Sequence, residues 1–200
     1  MNTLEINRIE LDTLLEIQNW SALGLDPYKG LLLHGNIGTG KTTFFLDNFF
    51  PTLDKQLHFG SREGRFSGNV KTLVRELKRA AAAKEENAYS KMQEYYLSHG
   101  MLLDDLGREA KDVKIYGNSE QPVVDLLEKY YEGFKTSINF YKERGIGNAP
   151  HKYVQAKLIH ATSNMSLEEL SASYDSYLFD RMKEIFNFVS VQGGSLRDET

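Results

Sequence analysis

The residues of this chain best suited to chemistry are 35–42, which read GNIGTGKT, a complete G-x-x-x-x-G-K-[ST] phosphate loop. In such a loop the glycines let successive backbone N–H groups point at the α- and β-phosphates of a nucleotide. Lys41 is placed to reach the β- and γ-phosphates, and the Thr42 hydroxyl is placed to ligate Mg²⁺. The predicted nucleotide-binding residues are Gly35, Asn36, Ile37, Gly38, Thr39, Gly40, Lys41, Thr42 and Thr43.

A pair of adjacent acids follows an apolar run at residues 101–107, which read MLLDDLG, the pattern of a Walker B strand. Asp104 is predicted to hold Mg²⁺ through water, and Asp105 to accept a proton from the attacking water or to orient it. Both carboxylates can stay ionised beside one divalent cation, because the metal offsets their repulsion. The alternative is a strand that simply ends in an acidic turn.

A third polar group follows the apolar run at residues 158–164, which read LIHATSN. A polar side chain at the end of such a strand can reach between the γ-phosphate and the water, and Asn164 is the candidate, with Ser163 beside it. Thr-Ser-Asn is also a common helix-capping turn, so both interpretations stay open.

Strands and helices must position these motifs. Apolar runs predict strands at residues 31–34, 56–60, 100–105, 157–162 and 186–191. Helical patterns predict helices at residues 4–20, 42–50, 69–84, 86–98, 121–135, from Ser166 after a capping box, and from Leu178. Residues 136–155 are predicted to be a loop or an insertion. Because strands alternate with helices, the sequence predicts an α/β fold with a covered parallel sheet.

Composition places the chain in an ordinary class. It has 200 residues, a hydrophobic fraction of 40%, a charged fraction of 26% and a net charge of −4, which fit one α/β domain. No apolar run approaches the roughly 20 residues that span a bilayer, and no signal-peptide pattern starts the chain. We therefore expect a cytoplasmic protein without a membrane partner. The absence of cysteine excludes disulfides, thiol catalysis and Cys-ligated zinc.

A basic stripe lies on the helix predicted at residues 69–84. Four cationic side chains share one helical sector, and apolar side chains occupy the opposite one. The cationic residues are Lys71, Arg75, Lys78 and Arg79. Such a stripe can follow a phosphate backbone, which makes it a candidate single-stranded DNA contact, or it can be a solvated face.

Four segments together resemble the AAA+ ATPase domain of the DnaC/DnaI helicase loaders and the IstB-like transposition helpers. They read GLLLHGNIGTGKTT, LLDDLGRE, ATSNMSLEEL and SYLFDRMKEIFNFVSVQGGSLRDE, in the order that the family has, within residues 20 to 199. The resemblance implies a three-layer P-loop NTPase (AAA+/ASCE) with a mostly parallel, five-stranded sheet. No separate C-terminal lid domain is expected.

The resemblance also carries over residue roles. It places the family's sensor asparagine on Asn164, its arginine finger on Arg181 and a nucleotide-sensing arginine on Arg197. A finger acts on the γ-phosphate of a neighbouring subunit, so this role implies a homo-oligomer. The alternative for Arg181 is an ordinary surface ion pair with Asp180 or Glu184.

Residues 1–30 are expected to be an N-terminal helix and linker, and 31–200 the ATPase domain. The 34 residues before Gly35 offer no room for the separate helicase-binding module that loaders usually carry. The resemblance implies ATP and Mg²⁺ as cofactors, slow hydrolysis, and a DNA-replication accessory role with a replicative helicase or a transposase as partner. The alternatives are an IstB-like transposition helper, a small-molecule P-loop kinase with residues 136–153 as its lid, or a nucleotide-gated binding module.

Overall fold

Six parallel strands form the centre of the fold in the computed structural model, which describes residues 3–57, 66–82, 90–94, 100–110, 113–115, 118–143, 155 and 157–194. The strands of this sheet are β1 (Leu4–Asn7), β2 (Gly30–His34), β3 (Phe66–Asn69), β4 (Met101–Asp104), β7 (Ile159–Ser163) and β8 (Phe186–Gln192). Their spatial order is β1-β8-β2-β7-β4-β3. Because β7 lies between β2 and β4, the segments that follow these three strands meet at one edge of the sheet.

Helices connect the strands, and a small antiparallel hairpin follows β4. The hairpin consists of β5 (Val113–Ile115) and β6 (Asn118–Glu120). The helices are α1 (Lys41–Thr43), a π-helical segment (Phe44–Phe49), α2 (Phe50–Leu57), α3 (Val70–Ala82), α4 (Pro122–Glu143), α5 (Leu167–Ser173) and α6 (Ser176–Ile185). Residues 90–94 are also helical. Among the residues described, no helix has the length and apolar character that crossing a bilayer requires.

The sheet separates two hydrophobic cores, as the alternation of strand side chains requires. In β2, Leu31 and Leu33 face a core formed with the phosphate-loop helix and the N-terminal segment. Leu32 faces the other core, which α3, α4, α5 and α6 cover. Both faces of the parallel sheet are therefore buried, and the predicted three-layer α/β architecture is confirmed.

Aromatic side chains fix the helix that follows the phosphate loop. Phe45, Phe49 and Phe50 surround the buried imidazole of His160 on β7, at ring-centroid distances of 5.0 to 5.7 Å from one another and from that ring. The His160 Nδ1 in turn accepts a hydrogen bond from the backbone N–H of Leu31 at 3.2 Å. This contact ties β7, β2 and the helix together directly beneath the loop.

The predicted helix over residues 4–20 is wrong. The segment starts with β1, which pairs with β8 and adds a sixth strand to the predicted five. Two 3-10 helices follow, Arg8–Leu15 and Ile17–Leu23. Their buried residues recur every third position, which matches the 3.0 residues per turn of a 3-10 helix; they are Leu11, Leu14, Ile17 and Trp20. The Trp20 Nε1 donates to the carbonyl oxygen of Leu14, so Trp20 is part of the core.

Three other boundaries differ from the predictions. Gln56 and Leu57, predicted to start a strand, are helical, and the edge strand lies later, at β3. Pro51 does not stop the helix: α2 continues directly from the π-helical segment Phe44–Phe49 and runs through Pro51 to Leu57, and such π segments are places where the regular hydrogen-bond ladder of a helix is already interrupted. Residues 136–143 continue α4 rather than forming a loop. The remainder of the predicted insertion, except residue 155, lies outside the described residues.

Candidate nucleotide-binding site

The phosphate loop joins β2 to α1 and depends on its glycines. Gly35, Gly38 and Gly40 have φ angles of 126°, 84° and 84°, in the left-handed region that favours glycine. At Gly35 an added Cβ would also lie 2.6 Å from the carbonyl oxygen of Val191 on β8. The loop therefore passes too close to the neighbouring strand for any other residue at this position.

Lys41 is the cation of the loop and is held by the loop itself. Its Nζ donates to the carbonyl oxygens of Gly35 at 2.9 Å and Asn36 at 2.6 Å, and to Thr39 Oγ1 at 3.2 Å. Burial lowers the pKa of Lys41 from its usual 10.5 to about 8, although the carboxylates of Asp105 and Asp104 offset part of the shift. A buried cation bound only to neutral oxygens is suited to an anionic ligand.

His34 lies directly before the loop, at the end of β2, and is buried. Burial lowers its pKa to about 4, with a further contribution from the charge of Lys41. His34 is therefore neutral at physiological pH, which leaves Lys41 as the positive charge at the base of the loop.

Thr42 and Asp104 form the candidate metal-binding pair. The Thr42 Oγ1 donates to Asp104 Oδ1 at 2.6 Å, and Thr162 Oγ1 donates to the same oxygen at 2.7 Å. The pair brings together a hydroxyl from the first turn of α1 and a carboxylate from the end of β4. These are the hard oxygen ligands that Mg²⁺ binds beside nucleotide phosphates, so the residues present fit that ion.

Asp105 occupies an unusual backbone position. Its φ is 63°, and it is the one described residue other than glycine in the left-handed region. Asn164 Nδ2 donates a short hydrogen bond to Asp105 Oδ1, and Asn69 Nδ2 donates to Asp105 Oδ2 at 2.9 Å. Both carboxylate oxygens of Asp105 therefore accept amide donors, and Asn164 lies beside the acid that was predicted to activate the water.

Asn69 is a site residue that the sequence interpretation missed. It ends β3, and its Oδ1 accepts the backbone N–H of Lys71 at 3.0 Å, which caps the start of α3. The same amide thus contacts Asp105 and the helix that carries the basic stripe. An asparagine before a strong helix was a readable cap signal, but only the correct position of β3 places it beside Asp105.

These side chains surround one cavity of about 310 Å³. Its lining consists of Ile37, Gly38, Thr39, Gly40, Lys41, Thr42, Thr43, Asp104, Asp105 and Asn164. The structure thus brings together residues of three separate motifs, from Ile37 to Asn164, which lie up to 127 positions apart in the sequence. Gly35 and Asn36 contribute through the carbonyl oxygens that bind Lys41.

Arg181 is not among the residues that line this cavity. Its Nη1 binds Glu128 Oε1 of α4 at 3.0 Å, and its Nη2 donates to the hydroxyl of Tyr177. The guanidinium also stacks on the rings of Tyr177 and Tyr131, at 3.9 and 4.9 Å from their centroids. The observed ion-pair partner is therefore Glu128, not Asp180 or Glu184. Arg197 lies outside the described residues.

The basic stripe is exposed on α3, as predicted. Lys71, Arg75, Lys78 and Arg79 are exposed, whereas Leu73, Val74, Leu77 and Ala81 are buried. The two faces of this helix are therefore separated, and the cations are accessible to a ligand.

The chain matches no protein-family model, and no curated protein matches it significantly. Its fold does match solved structures. The class that the sheet order and the phosphate loop define is the AAA+ type of α/β P-loop NTPase fold.

Within this class the chain is similar to the structure of the DnaC helicase loader, with 18% identity over 90% of this chain and 88% of that one, at a TM-score of 0.51. It is also similar to DnaI, with 18% identity over 98% and 87% of the two chains and a TM-score of 0.56. AMPPCP-bound DnaA from Aquifex aeolicus is 13% identical over 90% of this chain and 44% of that one, at a TM-score of 0.52. The fold predicted from the resemblance is confirmed.

Proposed function

We propose that the chain is a replication-accessory ATPase of the helicase-loader type, which binds ATP with Mg²⁺ and hydrolyses it as an assembly. The observation that carries this proposal is the convergence of Lys41, Thr42, Asp104, Asp105 and Asn164 on one cavity. A small nucleotide-binding module needs a phosphate loop, but it does not need an acidic pair and an amide opposite that loop.

Each of these side chains has a role that its contacts support. Lys41 exchanges the carbonyl oxygens of the loop for the β- and γ-phosphate oxygens of ATP. Thr42 and Asp104 are the residues that would hold Mg²⁺, and the ion would supply positive charge beside the phosphates. Asp105 accepts a proton from the attacking water or orients it, and Asn164, which donates to this carboxylate and lines the cavity, would contact the γ-phosphate.

The cavity lining supports an assembly as the active form. Lys41 is the single cation among the described residues that line it. Phosphoryl transfer gains a large factor from a second cation at the γ-phosphate, which an arginine finger supplies. We assign that role to Arg181 of a neighbouring copy, and the guanidinium must leave Glu128 to perform it.

The exposed stripe on α3 is the proposed single-stranded DNA contact. Asn69 joins this helix to Asp105, so a ligand on α3 has a direct path of contacts to the catalytic carboxylate. The names of the similar structures, a helicase loader and an initiation protein, support replication as the setting. A replicative helicase is the proposed protein partner, with a transposase as the alternative.

The test is the ATPase rate measured against protein concentration, with and without single-stranded DNA. We expect specific activity to rise with concentration and to rise further with single-stranded DNA, but less with duplex DNA. Asp104→Asn serves as the matched catalytic control, because it keeps the side-chain shape and removes the charge that holds Mg²⁺.

Two results would contradict the proposal in different ways. Constant specific activity without a DNA effect would indicate a monomeric enzyme, such as a kinase that lacks its acceptor. Tight ATP binding without any hydrolysis would indicate a nucleotide-gated binding module.

A further inference from the structure

The loop that follows β4 turns sharply directly after the catalytic carboxylate. Asp105 and Gly107 have φ angles of 63° and 93°. An added Cβ at Gly107 would lie 2.6 Å from the Sδ of Met165, so the loop passes close to the turn after β7. The orientation of the Asp105 side chain therefore depends on how this loop is held.

One side of the loop is fixed to the sheet. The Leu106 N–H donates to the carbonyl oxygen of Thr162 at 2.8 Å, and the Ser163 hydroxyl donates to the carbonyl oxygen of Leu106 at 2.8 Å. These bonds locate Leu106, but they leave the return of the loop to be fixed elsewhere.

The return of the loop is held by a turn hydrogen bond from the Arg108 N–H to the Asp105 carbonyl oxygen at 3.2 Å and, beyond it, by the side chain of Glu109. Its Oε2 accepts the N–H of Gly107 at 2.8 Å, and its Oε1 accepts a short hydrogen bond from the hydroxyl of Tyr174. Burial, together with the neighbouring Glu109 carboxylate, raises the pKa of Tyr174 well above its usual value, so the hydroxyl stays protonated and remains a donor.

Tyr174 lies at the corner between the last two helices. It is the C-cap residue of α5, and the next residue, Asp175, caps α6 by accepting the Leu178 N–H at 2.7 Å. Arg181 lies on the same α6, six residues after Asp175. A contact between Glu109 and Tyr174 thus joins the loop of the catalytic carboxylate to the helix of the proposed finger.

Open space lies beside this contact. A cavity of about 210 Å³ is bordered by Glu109, Val123, Tyr174, Asp175 and Leu178, among others. Packing therefore does not confine the Glu109 side chain on that side, and the hydrogen bonds to Tyr174 and Gly107 hold it in place.

We propose that the Tyr174–Glu109 hydrogen bond is a positioning contact for ATP hydrolysis, which holds residues 105–109 in a fixed geometry relative to α6. This inference rests on the proposed ATPase function. Neither residue lines the nucleotide cavity, so the contact acts through Asp105 and Arg181. It affects turnover and leaves nucleotide binding, which depends on the phosphate loop, unchanged.

The test compares three variants at this contact. Tyr174→Phe removes only the donor, and Glu109→Ala removes the acceptor. Glu109→Gln keeps one oxygen for the Gly107 N–H and an amide that can bond to the tyrosine oxygen. We expect the first two to lower kcat by about tenfold with an unchanged KM for ATP, and Glu109→Gln to restore most of the rate.

Amide hydrogen exchange supplies a second readout that needs no hydrolysis. Exchange at Gly107 should be faster in Tyr174→Phe and Glu109→Ala than in the wild type, and close to wild type in Glu109→Gln. Tyr131→Phe is the matched control, because it removes another tyrosine-to-carboxylate bond, the one to Glu184, at 3.0 Å. Its Gly107 exchange should be unchanged.

The outcomes separate this inference from the proposed function. Unchanged Gly107 exchange in Tyr174→Phe overturns the positioning contact, whatever the rates. A lower melting temperature with an unchanged kcat identifies a purely structural bond and overturns it as well. A wild type that hydrolyses no ATP overturns the proposed function, while the exchange data still report whether the contact holds the loop.

Discussion

The nucleotide cavity and the outer surface of α6 carry the two halves of the proposed catalytic machinery, and the chain holds them in opposite ways. At the cavity, Lys41, Asp104 and Asp105 already line the proposed nucleotide site. On α6, Arg181 does not line this cavity and is bound to Glu128 and to two tyrosine rings. The cavity residues are already in place within one chain, whereas Arg181 is held by contacts away from the cavity and must change partners to act.

The difference follows from what positions each half. The cavity residues lie in the segments that directly follow β2, β4 and β7 or at the ends of these strands, whose register is fixed by the backbone hydrogen bonds of the sheet. Arg181 comes from a helix surface, where its long side chain takes the nearest partners. The comparison therefore predicts a protein that binds ATP alone and needs a second copy to hydrolyse it.

Removal of the loop cation tests the assembled half and should have the largest effect. In Lys41→Ala we expect ATP binding to fall below detection and hydrolysis to fall to the buffer background, because no other described cation lines the cavity. Titration of a fluorescent ATP analogue measures the loss. Lys55→Ala, an exposed lysine of α2, is the control and should bind normally. Unchanged affinity in Lys41→Ala would sink the phosphate-loop assignment.

Removal of the stored arginine tests the other half. Arg181→Ala should bind ATP with wild-type affinity and lose about 10³-fold in kcat, the range that arginine fingers supply. Mixing it with Asp105→Asn should restore part of the activity, since the second variant offers a finger to the intact site of the first.

The control is Lys183→Ala on the same helix, which loses a surface ion pair with Asp180 at 2.7 Å and a contact of the ammonium with the Phe179 ring at 4.9 Å. It should hydrolyse ATP at the wild-type rate. If mixing restores no activity, Arg181 does not act on the site of a neighbouring subunit, and the requirement for a second copy is wrong.

The basic face of α3 is a third surface to compare. Its cations are already in place within one chain, like the cavity residues, but they are exposed to a macromolecule. Charge reversal at Lys71, Arg75 and Lys78 should weaken single-stranded DNA binding by about 10- to 100-fold and reduce its salt dependence. Binding isotherms at several salt concentrations measure both quantities.

The same charge change at other lysines distinguishes a local DNA contact on α3 from a general effect of the net charge of the protein. Reversal at the exposed Lys55 and Lys157, together with Lys183, should leave the slope of affinity against salt unchanged. If the slope of affinity against salt is unaltered in the α3 variant, the basic face of α3 is a solvated surface and not a DNA contact.

The pH dependence of ATP binding tests whether burial in the phosphate loop lowers the pKa of Lys41. The pKa of Lys41 is about 8 in the free protein, and bound phosphates favour the protonated form. Affinity should therefore fall by up to about tenfold per pH unit above pH 8, and remain insensitive to Lys41 below it. Lys41→Arg stays charged and should lose this dependence.

The same shift has a consequence for stability. Between pH 8 and 10.5 the unfolded chain holds the Lys41 proton more tightly than the folded one, so this residue makes the free energy of unfolding rise with pH in that window.

Both predictions depend on the lowered pKa of Lys41. An ATP affinity that stays constant up to about pH 10 would contradict them, because it would show that the ammonium group is not desolvated in this way.

The sequence predicted the motifs of the cavity well, because each is local. A glycine-rich loop after an apolar run, and acids or amides at strand ends, are readable from spacing alone. No strand order was predicted from the sequence or from the resemblance; the order of the sheet is what brings Asp104 beside Thr42 and Asn164 beside Asp105.

Other features depend on contacts that local patterns do not contain. The spacing of Leu11, Leu14 and Ile17 fitted a helix, but it is the three-residue period of the 3-10 helices that follow an edge strand. Asn69 could not be placed beside Asp105 while β3 was predicted ten residues too early. The partner of Arg181 was taken from neighbouring residues of its own helix, whereas Glu128 comes from α4.

Weakening the contacts that hold Arg181 on its own chain should have the smallest effect, and it tests whether these contacts limit hydrolysis. Glu128→Gln removes the charge of its ion-pair partner but keeps a side chain of the same size. The pair is partly exposed, at 15% for the arginine and 40% for the glutamate side chain, and such pairs contribute about 0.5 to 1 kcal/mol. Release of the guanidinium should therefore raise the ATPase rate by about two- to fivefold at protein concentrations where assembly is incomplete. ATP affinity, set by the other half, should not change. A lower rate in Glu128→Gln would mean that Glu128 orients Arg181 for catalysis, and that the arginine is positioned by the chain as firmly as Lys41.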